Sequence, residues 1–409
     1  MGKLSIAKLW MIAYRDLGRN KRRSILTMVA VGLGLGLLIT IAGLVAGEIG
    51  GALDNSIRLR TGHVQVRAAS YEEEKVSLEW EDLLEDPQGL AAQIQALGET
   101  RTATPLLWAS GILGTREESV GVQVVGIDPL SEAHAPFRES LTAGQFLDPD
   151  DRDGILIGQR LADSLGLTTG DQVSLLVSTA DQQPDEAVFA IRGVFWTGVP
   201  VYDETMLLMS LSKAQAFTRT GERASTVLVL LDDREASDGI AGKLMQPGRQ
   251  VLTWRDMNQL LLTSTEMAAG YMGLINLIVL AVVAVFIANT LLMSVFERTR
   301  EMGILAALGM KDRQILAMFL LEAATLGLAG IAVGLVLGGL GVGYLATVGL
   351  QIGDVGATGI AIGETIYARF ELQEAISLSV TSLVITLLAA LYPAWFAARM
   401  EPIDALRAL

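Results

Sequence analysis

The 409-residue sequence contains no cysteine, which excludes disulfide staples, thiol nucleophiles and zinc–thiolate sites. Histidine is scarce as well. His63 and His134 stand far apart and outside any H-x-x-x-H spacing, so neither is expected to be a metal ligand. No G-x-x-x-x-G-K-[ST] phosphate loop occurs, and the glycine pair Gly166 and Gly170 lacks the following lysine. Asp148, Asp150, Asp151 and Asp153 cluster without the ordered spacing and closing glutamate of a calcium loop, and read as a solvated turn. With no nucleophile, base and oxyanion set in reach of one another, an enzyme is not expected.

What the sequence has in excess is apolar surface. Hydrophobic residues make up 51% of the chain and mean hydropathy is +0.44, too apolar for an ordinary soluble protein. Four runs of the length needed to cross ~30 Å of hydrocarbon lie at 24–47, 268–296, 315–348 and 375–398. A basic stretch precedes the first, as in a signal peptide. That run is longer than the usual signal core and lacks an A-x-A site, so a retained anchor is expected. Lys3, Lys8, Arg15, Arg19, Lys21, Arg22 and Arg23 face the single acid Asp16 before it, which predicts a cytoplasmic N-terminus and, with four spans, a cytoplasmic C-terminus. Residues 48–267 then form an extracytoplasmic domain between the first two spans. That segment holds 17 basic against 34 acidic side chains, which argues against nucleic acid or anionic lipid there, or simply keeps the domain soluble.

The expected fold is thus an α-helical integral membrane protein carrying a large α/β domain. Alternating strands are predicted at 63–67, 120–127, 187–195 and 226–231. Asp86 as N-cap, Pro87 at the first helical position, then Leu90, Ile94 and Leu97 before Gly98 predict a helix. Residues 154–175 read as strand, helix, stop at Gly166, turn at Gly170 and Asp171, and strand. Before the first span, Ile6, Leu9, Trp10, Ala13, Tyr14 and Leu17 form a helical stripe with Lys8, Arg15 and Arg19 on other faces. Residues 1–23 therefore predict an in-plane interfacial helix or a helix packed on a partner. Residues 297–314 form a cytoplasmic helix and loop, 349–374 a short outer loop and 399–409 a cytoplasmic tail.

Three stretches carry a family resemblance. Glu297-Arg298-Thr299-Arg300-Glu301-Met302-Gly303-Ile304-Leu305, with Gly309, Ile315, Phe319 and Glu322 downstream, resembles the cytoplasmic signature of the MacB/FtsX-type ABC transporter permeases, with Met302 where the pattern has isoleucine. Tyr392-Pro393-Ala394, Ala397, Ala398, Pro402, Ala405, Leu406 and Arg407 resemble the ending of the same family, and 13–24 its beginning. Thr61 to Val66, Ile157 to Ala162 with Gly170 and Asp171, and Gly193 to Gly198 with Tyr202 and Asp203 are similar to the lipoprotein-releasing (LolC/LolE-like) members.

The resemblance implies a type VII, mechanotransmitting permease subunit of the bacterial inner membrane, with an ectodomain of two subdomains, one inserted in the other. It implies two copies of a separate ATPase subunit that bind ATP and Mg, no cofactor in this chain, and a second permease chain, identical or not. The expected cargo is an amphiphile such as a lipoprotein, passed to a periplasmic carrier, with membrane lipid around it. The alternative is an FtsX-like transducer that switches on an extracytoplasmic cell-wall hydrolase without transport.

On that footing 297–309 is expected to dock on the ATPase, with Arg298, Arg300 and Glu301 as rim charges, Met302, Ile304 and Leu305 as apolar contact, and Gly303 and Gly309 giving close approach and a stop. Gly32, Gly36, Gly43 and Gly47 leave a strip without side-chain bulk for the paired permease, or for packing within the chain; Gly330, Gly334 and Gly338 repeat the spacing in the third span. Leu44, Val45, Ile49 and Leu53 are expected to face Leu261, Leu262, Met267 and Met272 across an apolar substrate cavity, or else to pack as core. Asn289 and Glu322 lie at matching depth, about 10 Å into the bundle at ~1.5 Å per residue. They are expected to hydrogen-bond, unless Glu322 faces a wet vestibule or snorkels to the interface.

Overall fold

A computed structural model of the chain describes residues 21–73, 75–352 and 361–399. The interfacial helix expected over 1–23 lies outside the described residues up to residue 20, as does the tail from residue 400. The chain divides into a helical unit, Met1–Glu48 with Glu266–Leu350 and Tyr367–Leu409, and a second unit, Ile49–Thr265 with Gln351–Ile366.

Among the described residues, four helices are long and apolar enough to cross a membrane: Lys21–Ser56, continued by a π-helical turn to Thr61, then Gln259–Glu297, Asp312–Val348 and Leu372–Ala398. The first two outlast their apolar runs. Hydropathy marks what sits in lipid, whereas a helix continues until its backbone is capped or turned. The third stops at Gly349, whose φ of 73° is open to glycine.

The glycine rows mesh within the chain. A Cβ added at Gly32 would lie 2.7 Å from Val333 Cγ1, and one at Gly36 3.0 Å from Leu337 Cβ. Reciprocally, Gly330 faces Val31 at 2.6 Å, Gly334 faces Leu35 at 2.8 Å and Gly338 faces Ile39 at 2.7 Å. Gly43 meets Val342 and the Arg369 carbonyl, Gly47 meets the Tyr367 carbonyl, and Arg369 N–H donates to Gly43 O at 2.9 Å. The strip Gly32, Gly36, Gly43 and Gly47 is therefore filled by the chain's own third helix and the 367–369 segment, not left open for a second permease. Between lipid-embedded helices association depends on close packing, and two matched rows of small residues satisfy each other. Leu33 and Leu37, beside the strip, are exposed.

The second unit is built on a ten-stranded mixed sheet. Its strands are β1 (Val64–Ala68), β2 (Thr100–Gly114), β3 (Ser119–Ile127), β4 (Leu141–Gly144), β5 (Gly154–Gly158), β6 (Gln172–Ser178), β7 (Pro184–Phe195), β8 (Met206–Ser210), β9 (Thr226–Leu231) and β10 (Arg249–Thr253). The order is β10-β1-β9-β2-β3-β8-β5-β7-β4, with β6 pairing β2 and β7. Strand β2 joins the two parts of the sheet: Thr100 to Leu106 pair with β9, and the remainder with β3 and β6. Behind β1 and β9, Leu90 and Ile94 of helix Pro87–Gln95 fill a core with Val64, Val66, Val227 and Val229. Asp86 starts that helix by accepting from Gly89 N–H at 2.8 Å, with proline where no donor is needed. Helix Gln159–Leu165 ends at Gly166 in the left-handed region.

The acidic group near residue 150 is an ordered turn. Asp151 accepts from Gly154 N–H at 2.9 Å and pairs with Arg192 Nε at 2.9 Å. Burial works against its charge, but Arg192 and the two backbone donors outweigh it and hold the carboxyl below its usual range.

Candidate functional site

In the helical unit, the motif at 297–309 breaks the second helix and starts a short one, Thr299–Ala307. Arg298 sits at the break with a non-helical φ of −110°. It is buried, and its guanidinium reaches Glu301 Oε2 at 3.3 Å and Glu322 Oε2 at 3.4 Å while lying over the Phe319 ring. Beside it, Arg23 donates to Glu297 Oε2 at 2.7 Å and to the buried Ser294 hydroxyl at 2.8 Å. These two arginines tie the ends of the first three long helices and the short helix by charge-assisted hydrogen bonds.

This arrangement changes several expected roles. Glu322 is 3% exposed and is met by Arg298, whereas Asn289 is exposed on its helix, so the expected Asn289–Glu322 bond is not formed. The two share depth but not azimuth. Arg298 is not a rim charge, and Met302, 1% exposed, is not a free apolar contact: it packs with Val295, Ile315, Met318, Phe319 and Ala394. Gly303 is buried with it, and Glu301 and Leu305 are half-buried. What the short helix leaves open is the face of Arg300, Ile304 and Leu308, spaced four apart, with Ile304 46% and Leu308 70% exposed. Gly309, at φ 92°, then reverses the chain, and Met310 N–H closes onto Leu305 O. Of the residues expected to line a substrate cavity, Leu44, Val45, Ile49, Leu53, Leu261, Leu262 and Met272 are half-buried and Met267 is exposed.

In the second unit, two separate sequence motifs and Glu364 converge on one corner. Gly158 lies so close to the Asp203 backbone that a Cβ there would overlap it. The fully buried Asp203 carboxylate accepts from Thr197 N–H at 2.9 Å, Thr197 Oγ1 at 2.8 Å and Gly198 N–H at 3.1 Å. Burial nevertheless pushes its carboxyl up to about 6, the three donors pulling the other way. Arg160 donates to Glu204 at 2.8 Å and, through Nε and Nη2, to Glu364 at 3.0 and 2.9 Å. Glu364 N–H in turn donates to Gly198 O at 2.9 Å. Glu364 carried no signal in the sequence, because its partners lie some 160 or more residues earlier.

Neither histidine is placed for chemistry. His63 Nδ1 accepts from Leu231 N–H at 2.9 Å, and burial, then Arg234, lowers its pKa. His134 is buried, its pKa lowered to about 3 by desolvation and secondarily by Arg138. Among the described residues no group of three His, Cys, Asp or Glu is placed to hold a metal ion.

Residues 24–246 match the MacB-like periplasmic core domain, which takes in the corner around Asp203 apart from Glu364, and 273–402 match the FtsX-like permease C-terminal domain, which takes in the motif at 297–309. The chain belongs to the MacB/FtsX-type permease family. It is similar to the lipoprotein-releasing system transmembrane protein LolC of Neisseria meningitidis serogroup B, 24% identical over 417 residues and 95% of each chain. The LolC of Haemophilus influenzae is 25% identical over 303 residues, 70% of this chain and 71% of that one. A stretch of 152 residues, 37% of this chain and 19% of the relative, is 36% identical to the macrolide export ATP-binding/permease protein MacB of Syntrophobacter fumaroxidans. As a MacB/FtsX-type permease the chain is an ABC transporter permease subunit, a membrane protein with an extracytoplasmic domain; the family implies an ATPase partner and a second permease.

Proposed function

We propose that this permease couples ATP hydrolysis on separate ATPase subunits, which carry the ATP and Mg, to extraction of an amphiphile at the outer face of the inner membrane, in the release of lipoproteins. The reading has both termini in the cytoplasm, the large domain inserted after the first span, two ATPase copies, and two permease chains enclosing the cargo. The observation that carries it is the short helix Thr299–Ala307. It is fixed to the bundle by Arg298 and Met302 and leaves Arg300, Ile304 and Leu308 open on its other face. A rigidly held helix with one apolar-and-basic face is suited to seat in a groove of a partner and pass displacement to the helices behind it. The similarity to LolC supports lipoprotein as the cargo.

The test is reconstitution with the ATPase subunit in proteoliposomes carrying a triacylated lipoprotein and a soluble carrier. Ile304→Asp and Leu308→Asp should cut permease-stimulated ATP hydrolysis about tenfold or more, as expected when an apolar side chain is withdrawn from a buried interface, with membrane insertion unchanged. ATP-dependent appearance of lipoprotein on the carrier supports release. ATP hydrolysis without release, in the presence of carrier, would sink that cargo and favour a transducer that transports nothing.

A further inference from the structure

On one face of the second unit's sheet, four adjacent strands and the π-helical turn build a charged pocket that the transport reading does not use. Gln65 and Arg67, two apart on β1, point to the same side. Trp108 of β2, Gln123 of β3 and Thr226 of β9 continue the floor, and Arg60 closes one edge. Tyr71 and Val76 form the other wall.

Among the described residues lining this pocket, two guanidiniums face one carboxylate. Glu73 reaches Arg60 Nη2 at 3.1 Å and Arg67 Nη1 and Nη2 at 3.3 and 3.5 Å. These distances exceed the ~2.7–2.9 Å of a well-made charge-assisted pair. The Arg67 side chain is only 5% exposed, and its Nε has no hydrogen-bond partner among the described residues. A buried cation with an idle donor is costly. Glu73, by contrast, is half exposed, and Val76, three residues on, has φ 45°, a strained conformation for a β-branched residue. With Glu73 in place the free volume is about 10 Å³, room for roughly one water.

We propose that Arg60 and Arg67 form a receptor for a phosphate-type oxyanion and that Glu73 is its internal plug. A tetrahedral anion offers three oxygens where a carboxylate offers two, and can meet both planar guanidinium forks, including Arg67 Nε. Gln123 adds a neutral donor at the floor, while Trp108, Tyr71 and Val76 supply apolar walls for whatever the oxyanion is attached to. The domain's excess of acidic residues opposes long-range attraction of anions and so slows their entry; it does not remove the two-to-one imbalance among the described residues of the pocket. The occupant is either free phosphate or the phosphate of a lipid headgroup.

The test is calorimetric titration of the full chain in detergent, with inorganic phosphate and, separately, with dihexanoyl phosphatidic acid below its micelle concentration, against chloride at matched ionic strength. Glu73→Gln removes the plug and should tighten binding about tenfold, roughly one charge-assisted hydrogen bond. Arg60→Gln should weaken it by a similar factor. Arg60 stands at the rim, with its side chain 35% exposed, so this arm does not rest on replacing the buried Arg67. Binding of phosphate alone assigns the free ion, binding of the lipid alone assigns a headgroup, and binding of both assigns the shared oxyanion chemistry. Failure of both probes to bind Glu73→Gln, equal affinity of Glu73→Gln and the unaltered chain, or undiminished binding by Arg60→Gln would overturn the proposal.

Discussion

Arg298 Nη1 lies 3.4 Å from Glu322 Oε2, and both side chains are buried in the helical unit. The pair joins the break after the second long helix to the first turns of the third, so the motif that follows one apolar helix and a carboxylate within the next form one structural element.

Removing Arg298 takes a cation from the buried Glu322, whereas removing Glu322 leaves Arg298 its pair with Glu301. Arg298→Ala should cost about 3–5 kcal/mol and Glu322→Leu less, seen as a lowered melting temperature or reduced yield of the full chain in detergent. Glu322→Gln, which keeps an acceptor for the guanidinium, should cost less still. A double-mutant cycle that found the two sites additive would refute the pairing.

The meshed glycines predict a steric pattern along two helices. Gly334→Val should destabilise the chain by about 1–3 kcal/mol through overpacking, because its Cβ would press on Leu35, whereas Gly339→Ala has nothing within 4 Å and should be neutral or stabilising. Equal melting temperatures for the two variants would contradict the interlock.

Asp203 and His134 predict opposing pH dependences. Asp203 has its folded pKa raised to about 6 from 3.8. Its favourable contribution is therefore present below pH ~4 and lost as pH rises to ~6, by roughly 3 kcal/mol. His134 has its folded pKa lowered to about 3 from 6.5. Its contribution is present above pH ~6.5 and is lost as pH falls toward ~3. The two slopes offset each other between pH 4 and 6. Relative to the unaltered chain, His134→Phe should turn the slope there toward stability falling with rising pH, with His63 keeping its own opposite slope, and Asp203→Asn should make stability fall with acid more steeply. Thermal melts of the full chain at half-unit pH intervals read both slopes, and parallel profiles for the two variants would dismiss the assignment.

Arg160 holds Glu364 through two donors, and Glu364 N–H is bonded to Gly198 O. Arg160→Gln should raise hydrogen exchange at Glu364 about tenfold, in keeping with the removal of one charge-assisted hydrogen bond, while exchange in β5 and β8 stays as it was. Unaltered exchange at Glu364 would show that the backbone bond alone fixes the segment.

The sequence by itself determined what depends on local chemistry. Apolar runs require four helices in lipid, because unpaired backbone groups are too costly there. Alternation put strands at β1, β3, β7 and β9, and Asp86 with Pro87 marked a helix start, since capping needs only residues three apart. The motif at 297–309 was legible as a unit for the same reason. Tertiary structure decided which faces meet. Depth in the bundle follows from residue count, but the rotation of each helix about its axis does not, so Glu322 meets Arg298 while Asn289 faces outward. That rotation also turned the glycine strip of the first helix onto the third and buried Met302 while leaving Ile304 open. The ectodomain corner needed more still: Gly158, Arg160, Gly198 and Asp203 stand in motifs that the sequence marked one by one, Glu364 stands in none, and only the closure of loops up to 204 residues long brings their complementary charges and bare backbone together.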